Sequence, residues 1–181
     1  MPQDNMSATR RRLLALLATL PLGGLAACSD GPKQGEAIRP AEIDPASTCD
    51  LDGMLLADYP GPKAQIHFEG EPRPHWYCDT VEMFSTLLRP EQVRPVRAVF
   101  TQDMGLADWD QPRGHWFDAR EGFYVLGSKR HGSMGPTLAS FRNQADAQGF
   151  AQQHGGRVLR YAEVTPQMVD LSGGALHDGR M

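Results

Sequence analysis

Apolar and polar positions alternate in short bursts along the middle of this chain, and turn-forming residues close each burst. Ala64 to Phe68 reads as a strand, Gly70 to Pro74 as a turn, and His75 to Cys78 as the returning strand. The period then changes. From Asp79 to Leu88, Val81, Phe84 and Leu87/Leu88 form one apolar stripe. Asp79 or Thr80 supplies a cap and Pro90 a stop, which predicts a helix. Val93 to Thr101 alternates again, with Val96 and Val99 flanking Arg97, so the predicted order is ββαβ.

The second half repeats that order. His115 to Ala119 and Phe123 to Gly127 are strand candidates. Gln144 to His154 predicts a helix with Ala145, Phe150 and Ala151 inward, stopped by Gly155-Gly156, and Arg157 to Tyr161 is the closing strand. The expectation is an α+β fold of two small ββαβ units in tandem, residues 49–101 and 102–165.

The ends read differently. Arg10, Arg11 and Arg12 precede an apolar run, Leu13 to Leu22, that is too short to span a bilayer. Leu25-Ala26-Ala27-Cys28 follows and reads as a lipobox, in which small residues admit the signal peptidase and the Cys28 thiol takes the lipid. Residues 1–27 are then a lipoprotein signal peptide. Residues 28–48, rich in Pro, Gly, Ala and charge, are a tether, and 166–181 a flexible tail. A plain cleaved signal with an incidental Cys28 is the alternative. The arginines fit both the general and the twin-arginine export routes.

Charge removes several classes of partner. The whole chain carries a formal charge of −4, and without residues 1–27 it holds 15 basic against 21 acidic side chains. That balance argues against nucleic acid and against a polybasic membrane contact. No later segment approaches the length of a membrane span, so lipid on Cys28 is the expected attachment to the membrane.

Candidate chemistry centres on sulfur. With Cys28 lipidated, Cys49 and Cys78 remain of the three cysteines, and they read either as a structural disulfide or as thiols occupied by a metal. Cys49 and Met54 set a thiol and a thioether just ahead of a turn and a strand. Both are soft donors suited to Cu(I). Met134, flanked by glycines in Gly132-Ser133-Met134-Gly135, and Met104, beside Gly105 at a strand end, are further soft candidates, with His131 as a neighbouring imidazole. Cys78, at a strand-to-helix junction, reads either as a reactive thiolate or as a small core side chain. Asp103, Asp108, Asp110 and Asp118 lack calcium-loop spacing and read as turn and surface residues. There is no phosphate-binding glycine loop, nucleophile elbow or His-Glu-x-x-His motif.

Several phrases occur in an order that resembles the NosL family, the copper-binding accessory lipoproteins of nitrous oxide reductase. They are Gly61-Pro62-Lys63-Ala64-Gln65-Ile66, Phe100-Thr101-Gln102-Asp103-Met104-Gly105, Trp109 with Trp116-Phe117-Asp118-Ala119, Phe123-Tyr124-Val125-Leu126-Gly127-Ser128, Gly132-Ser133-Met134-Gly135 and Gly155-Gly156-Arg157-Val158-Leu159. The resemblance implies two ββαβ units and a distant likeness to organomercurial lyase. It implies Cu(I) held by Met54 and Cys49, with Met134, Met104 and His131 as further candidates, in a periplasm-facing lipoprotein. Delivery to nitrous oxide reductase and its maturation machinery follows, with no catalytic step. The chain departs from the family at Asp52, where family members commonly carry a cysteine, and Cys49 is expected to serve from a displaced position. The alternatives are a thiol-dependent enzyme resembling organomercurial lyase, with Cys78 or Cys49 as nucleophile, and an adaptor lipoprotein with a decayed metal site.

Overall fold

The computed structural model describes residues 37–171. The signal peptide, the lipobox with Cys28, the first part of the tether and most of the tail lie outside the described residues. Among the described residues no helix is long and apolar enough to cross a membrane.

The first ββαβ unit forms as its pattern predicts. β1 (Ala64–Phe68), β2 (His75–Tyr77), α1 (Thr80–Leu87) and β3 (Val96–Gln102) follow one another, and β1 pairs antiparallel with both β2 and β3. Asp79 caps α1 by accepting the Val81 N–H at 2.9 Å. The second unit consists of β5 (Phe123–Gly132), β6 (Gly135–Phe141), α2 (Gln144–His154) and β7 (Arg157–Arg160), in a sheet of order β6-β5-β7. In both sheets the first strand of the unit is central and the strand after the helix lies on its far side. This is the α+β tandem expected.

Two details differ from the sequence reading. The strand expected at 115–119 is β4 (Trp116–Asp118). It pairs with β3 and so extends the first sheet to the order β2-β1-β3-β4 instead of opening the second. The true partner of β5 is β6, hidden in the sequence by Gly135-Pro136 at its start. Pro136 is tolerated because β6 is an edge strand, where a missing N–H leaves no ladder bond unmade.

Alternation gives each sheet two apolar faces. Ala64, Ile66, Phe68, Tyr77 and Val99 meet Met83 and Phe84 of α1 in a core that also takes Tyr124 and Leu138 from the second sheet. Val125, Ala139 and Phe141 pack toward α2, against Ala147 and Phe150. The other face of the first sheet carries Trp76, Ala98, Phe100 and Trp116, and the segment before β1 covers it. Residues 37–48, expected as tether, therefore pack: Ile38, Ala41 and Ile43 lie on this face, and Ala41 exchanges hydrogen bonds through its N–H and C=O with the Gln65 side chain. At the other end Val169, expected in the tail, is buried in the shared core.

Candidate metal centre

The covering segment ends in a tight loop that presents Cys49. The Cys49 N–H donates to the Met54 carbonyl at 2.8 Å, the Gly53 N–H to the Cys49 carbonyl at 2.9 Å, and Thr48 bridges Leu55. Gly53 closes the loop at φ +78°, a backbone that glycine adopts without strain. Asp52 Oδ1 accepts the Met54 N–H at 2.9 Å, an Asx turn that fixes the direction of its carboxylate. Asp50 ties the loop to β2. Its N–H donates to the Trp76 carbonyl at 2.8 Å, and its carboxylate accepts the Trp76 N–H at 2.7 Å and Arg73 at 3.0 Å.

This docking brings Cys49 against Cys78, the residue between β2 and the α1 cap. Both are free thiols, so the disulfide alternative is not realised. Cys49 Sγ and Cys78 Sγ each donate to Glu82 Oε2 at 3.3 Å, and Cys78 Sγ lies 3.8 Å from Asp52 Oδ2. One donor atom from each of Cys49, Asp52, Cys78 and Glu82 lies within 4.8 Å of the others. The two thiols and Glu82 are 3, 0 and 2% exposed, while Asp52 faces solvent.

The electrostatics follow from that crowding. Hydrogen bonding from Cys78 draws the Cys49 thiol down to about 6, against the opposing effect of burial, and the Leu51 N–H adds a weaker contact at 3.4 Å. The same bond, with burial, holds the Cys78 proton more tightly than in a free thiol. Burial raises the Glu82 carboxyl to about 8, with the charge of Cys49 adding to it. Behind the thiols Lys63 is fully buried, its Nζ donating to the Pro60 carbonyl at 2.9 Å and the Cys78 carbonyl at 3.1 Å. Burial lowers its ammonium to about 8, and the charges of Asp79, Cys78 and Glu82 act in the opposite direction.

The β5–β6 hairpin roofs the far side. Gly61 lets it approach: a Cβ there, at φ +80°, would stand 2.9 Å from Gly132 Cα. Trp109 Nε1 donates to the His131 carbonyl at 3.1 Å, and Thr137 Oγ1 donates to Asp79 Oδ1 at 2.6 Å. Ser133 thereby sits beside Cys78, where it favours the thiolate.

The expected ligands are distributed unevenly. Cys49 is in the cluster, and Met54 packs against the apolar group that contains both thiols. Met134 is 63% exposed at the hairpin tip, next to Ser133. His131 is exposed and is not one of the four converging donors. Met104 is buried with Val125, Ala139 and Phe141, in a different apolar cluster from the thiols. Sequence reasoning left Cys78 undecided and missed Glu82. The signal was the spacing: Glu82 stands four residues after Cys78, just past the cap, so the first turn of α1 returns its side chain to the thiol.

Comparison with known proteins gives a consistent family picture. The NosL family model matches residues 40–169. The copper-binding lipoprotein NosL of Stutzerimonas stutzeri is 34% identical over 166 residues, covering 91% of this chain and 86% of that protein. Its namesake from Achromobacter cycloclastes is 37% identical over 164 residues, covering 88% and 84%. Among solved structures, the copper chaperone NosL from Shewanella denitrificans superposes with a TM-score of 0.69 at 37% identity, covering 73% of this chain and 98% of that one. These relatives are named as copper-binding lipoproteins and a copper chaperone, not as enzymes.

Proposed function

Because the chain belongs to the NosL family, we propose that it is a periplasm-facing lipoprotein, anchored through Cys28, that carries Cu(I) as cargo. It delivers that copper for maturation of the copper centre of nitrous oxide reductase. The observation that carries the reading is the convergence of two free thiols on one buried carboxylate oxygen, each at 3.3 Å. Thiolates are the strongest soft donors a protein offers, and a pair of them satisfies a d¹⁰ ion that needs few ligands.

In this account Cys49 and Cys78 hold the ion, and Cys78 supplies the second thiolate that the family pattern would put at Asp52. Met54 stands on the same apolar patch as a neutral thioether. Met134, exposed one residue beyond Ser133, is a soft donor on the open side. A low-coordinate site with a thioether at its rim releases copper by ligand exchange: an incoming donor from the acceptor replaces one sulfur before the second lets go. Met104 and His131 have no part in it, the first because it packs elsewhere and the second because it lies outside the donor group. The buried Lys63 ammonium offsets the negative charge of a Cu(I) dithiolate.

The test is anaerobic transfer. The copper-loaded chain is mixed with copper-free nitrous oxide reductase and its maturation machinery in the presence of a Cu(I) chelator strong enough to hold all free copper. Appearance of the enzyme's copper spectrum and activity is expected. If the enzyme stays empty under these conditions, yet fills when the chelator is omitted and free Cu(I) is supplied, the delivery role is wrong.

A further inference from the structure

The loop between β3 and β4 holds Trp109 in place through its own turns. The Asp103 carbonyl accepts the Leu106 and Ala107 N–H groups at 3.1 and 2.9 Å, and Asp108 Oδ1 accepts those of Asp110 and Gln111 at 2.9 and 2.8 Å. From this loop the half-buried Trp109 reaches three other segments. Its carbonyl accepts the Gly61 N–H at 2.8 Å, and its Nε1 donates to the His131 carbonyl at 3.1 Å. Its ring stacks on Phe150 of α2, with centroids 5.3 Å apart and 19° between the planes. The Arg130 guanidinium lies 4.8 Å from the same ring and 3.6 Å from Asp110.

What the indole holds is a separable part of the β5–β6 hairpin. Phe123 to Leu126 pair in register with Leu138 to Phe141. The register then shifts, and pairing resumes only at His131↔Pro136 and Gly132↔Gly135. The intervening residues 127–130 start at Gly127 with φ +79°, and Gly135 on the returning side has φ +105°. Such an interruption weakens the ladder locally, and left-handed glycines absorb backbone rotation, so the tip at 131–135 has a hinge of its own. A Cβ on Gly132 would fall on Asp79 Oδ2, and Ser133 reaches Cys78, so the tip lies directly on a thiol that is 0% exposed.

We propose that Trp109 is a positioning residue that latches residues 131–135 over Cys78, and that the tip swings about residues 127–130 to admit an incoming soft ligand to that thiol. A sulfur buried this completely exchanges ligands only when something above it opens. The Trp109–His131 hydrogen bond sets how often that happens. The part played in metal exchange rests on the reading of the thiol pair as the copper site; the latch itself does not.

Trp109→Phe keeps a ring against Phe150 and removes the N–H donor. The metal-free full chain, reduced and in detergent, is alkylated with iodoacetamide, and each cysteine is followed separately by mass spectrometry. Cys78 is expected to react about fivefold faster in the variant, the worth of one hydrogen bond, while Cys49, held by its own loop, stays within about twofold. The gain is unchanged by urea well below the unfolding midpoint, as local opening requires. Hydrogen exchange of the unsubstituted chain gives a second reading, with amides 131–135 opening locally and amides 124–126 only on global unfolding. No acceleration at Cys78, equal acceleration at both cysteines, urea-dependent labelling, or equal protection of tip and strand would overturn the latch. Cu(I) should also pass to a chelator faster from the loaded variant. Faster Cys78 labelling with unchanged copper release would uphold the latch and overturn its part in metal exchange.

Discussion

The two ββαβ units place equivalent residues in opposite circumstances. In the first, Cys78, Asp79 and Glu82 lead into α1; in the second, Arg142, Asn143 and Asp146 lead into α2 at the same positions. Asp79 and Glu82 are buried, whereas Asn143 and Asp146 face water and bond to each other at 3.1 Å. The difference comes from what lies outside the units. Residues 37–56 and the β5–β6 hairpin cover the first junction and bury its polar groups, whereas at the second the loop at Met104 and Gly105 comes up against Asp146 and leaves it exposed. A shared topology therefore provides the position, and the covering segments turn one copy of it into a cluster of four converging donor groups.

The comparison breaks most sharply at the hairpin. Gly61→Ala puts a side chain on a left-handed backbone and into the Gly132 backbone at 2.9 Å. Strain and overlap together are expected to cost about 4 kcal/mol of unfolding free energy by denaturant titration. The displaced roof should also release bound copper faster.

A smaller change makes the first cap resemble the second. Burial raises the Asp79 carboxyl from 3.8 to about 6, with the Thr137 hydroxyl and the Val81 N–H opposing, and its Oδ2 is buried without a hydrogen-bond partner. An acid whose folded value is raised contributes stability that is fully present below 3.8 and lost as pH rises through about 6. Asp79→Asn keeps an acceptor for Val81 and Thr137 and removes the buried charge. In the metal-free protein it should match the parent chain near pH 3.5 and exceed it by about 3 kcal/mol above pH 6.5, measured as unfolding free energy across that range.

Much of this was legible in the sequence, for reasons that differ by element. α1 announced itself because a capping aspartate, an apolar stripe and Pro90 agree. β1 and β2 did so because alternation and a Gly/Pro turn agree. β4 deceived because strand pairing across sheets is a long-range choice that local pattern does not record, and β6 because Gly135-Pro136 resembles a loop. Ile38, Ala41 and Ile43 are spaced without helical or strand period, so their packing on the first sheet left no periodic signal. The site was half visible for the same reason. Cys49 and Met54 share a local phrase, but the pairing of Cys49 with Cys78 depends on Asp50 docking to Trp76, a contact across 26 residues.

The central claim is that Cu(I) is held between the covering loop and the helix junction by two thiolates. Copper X-ray absorption and competitive Cu(I) titration of the full chain, reduced and in detergent, test it with Cys78→Ser, with Arg142→Ala at the equivalent position of the second unit as the control. The account predicts two sulfur neighbours in the parent chain, a loss of more than about 100-fold in affinity (about 2.8 kcal/mol) for Cys78→Ser, and no change for Arg142→Ala. Unchanged affinity and an unchanged sulfur count in Cys78→Ser would contradict it.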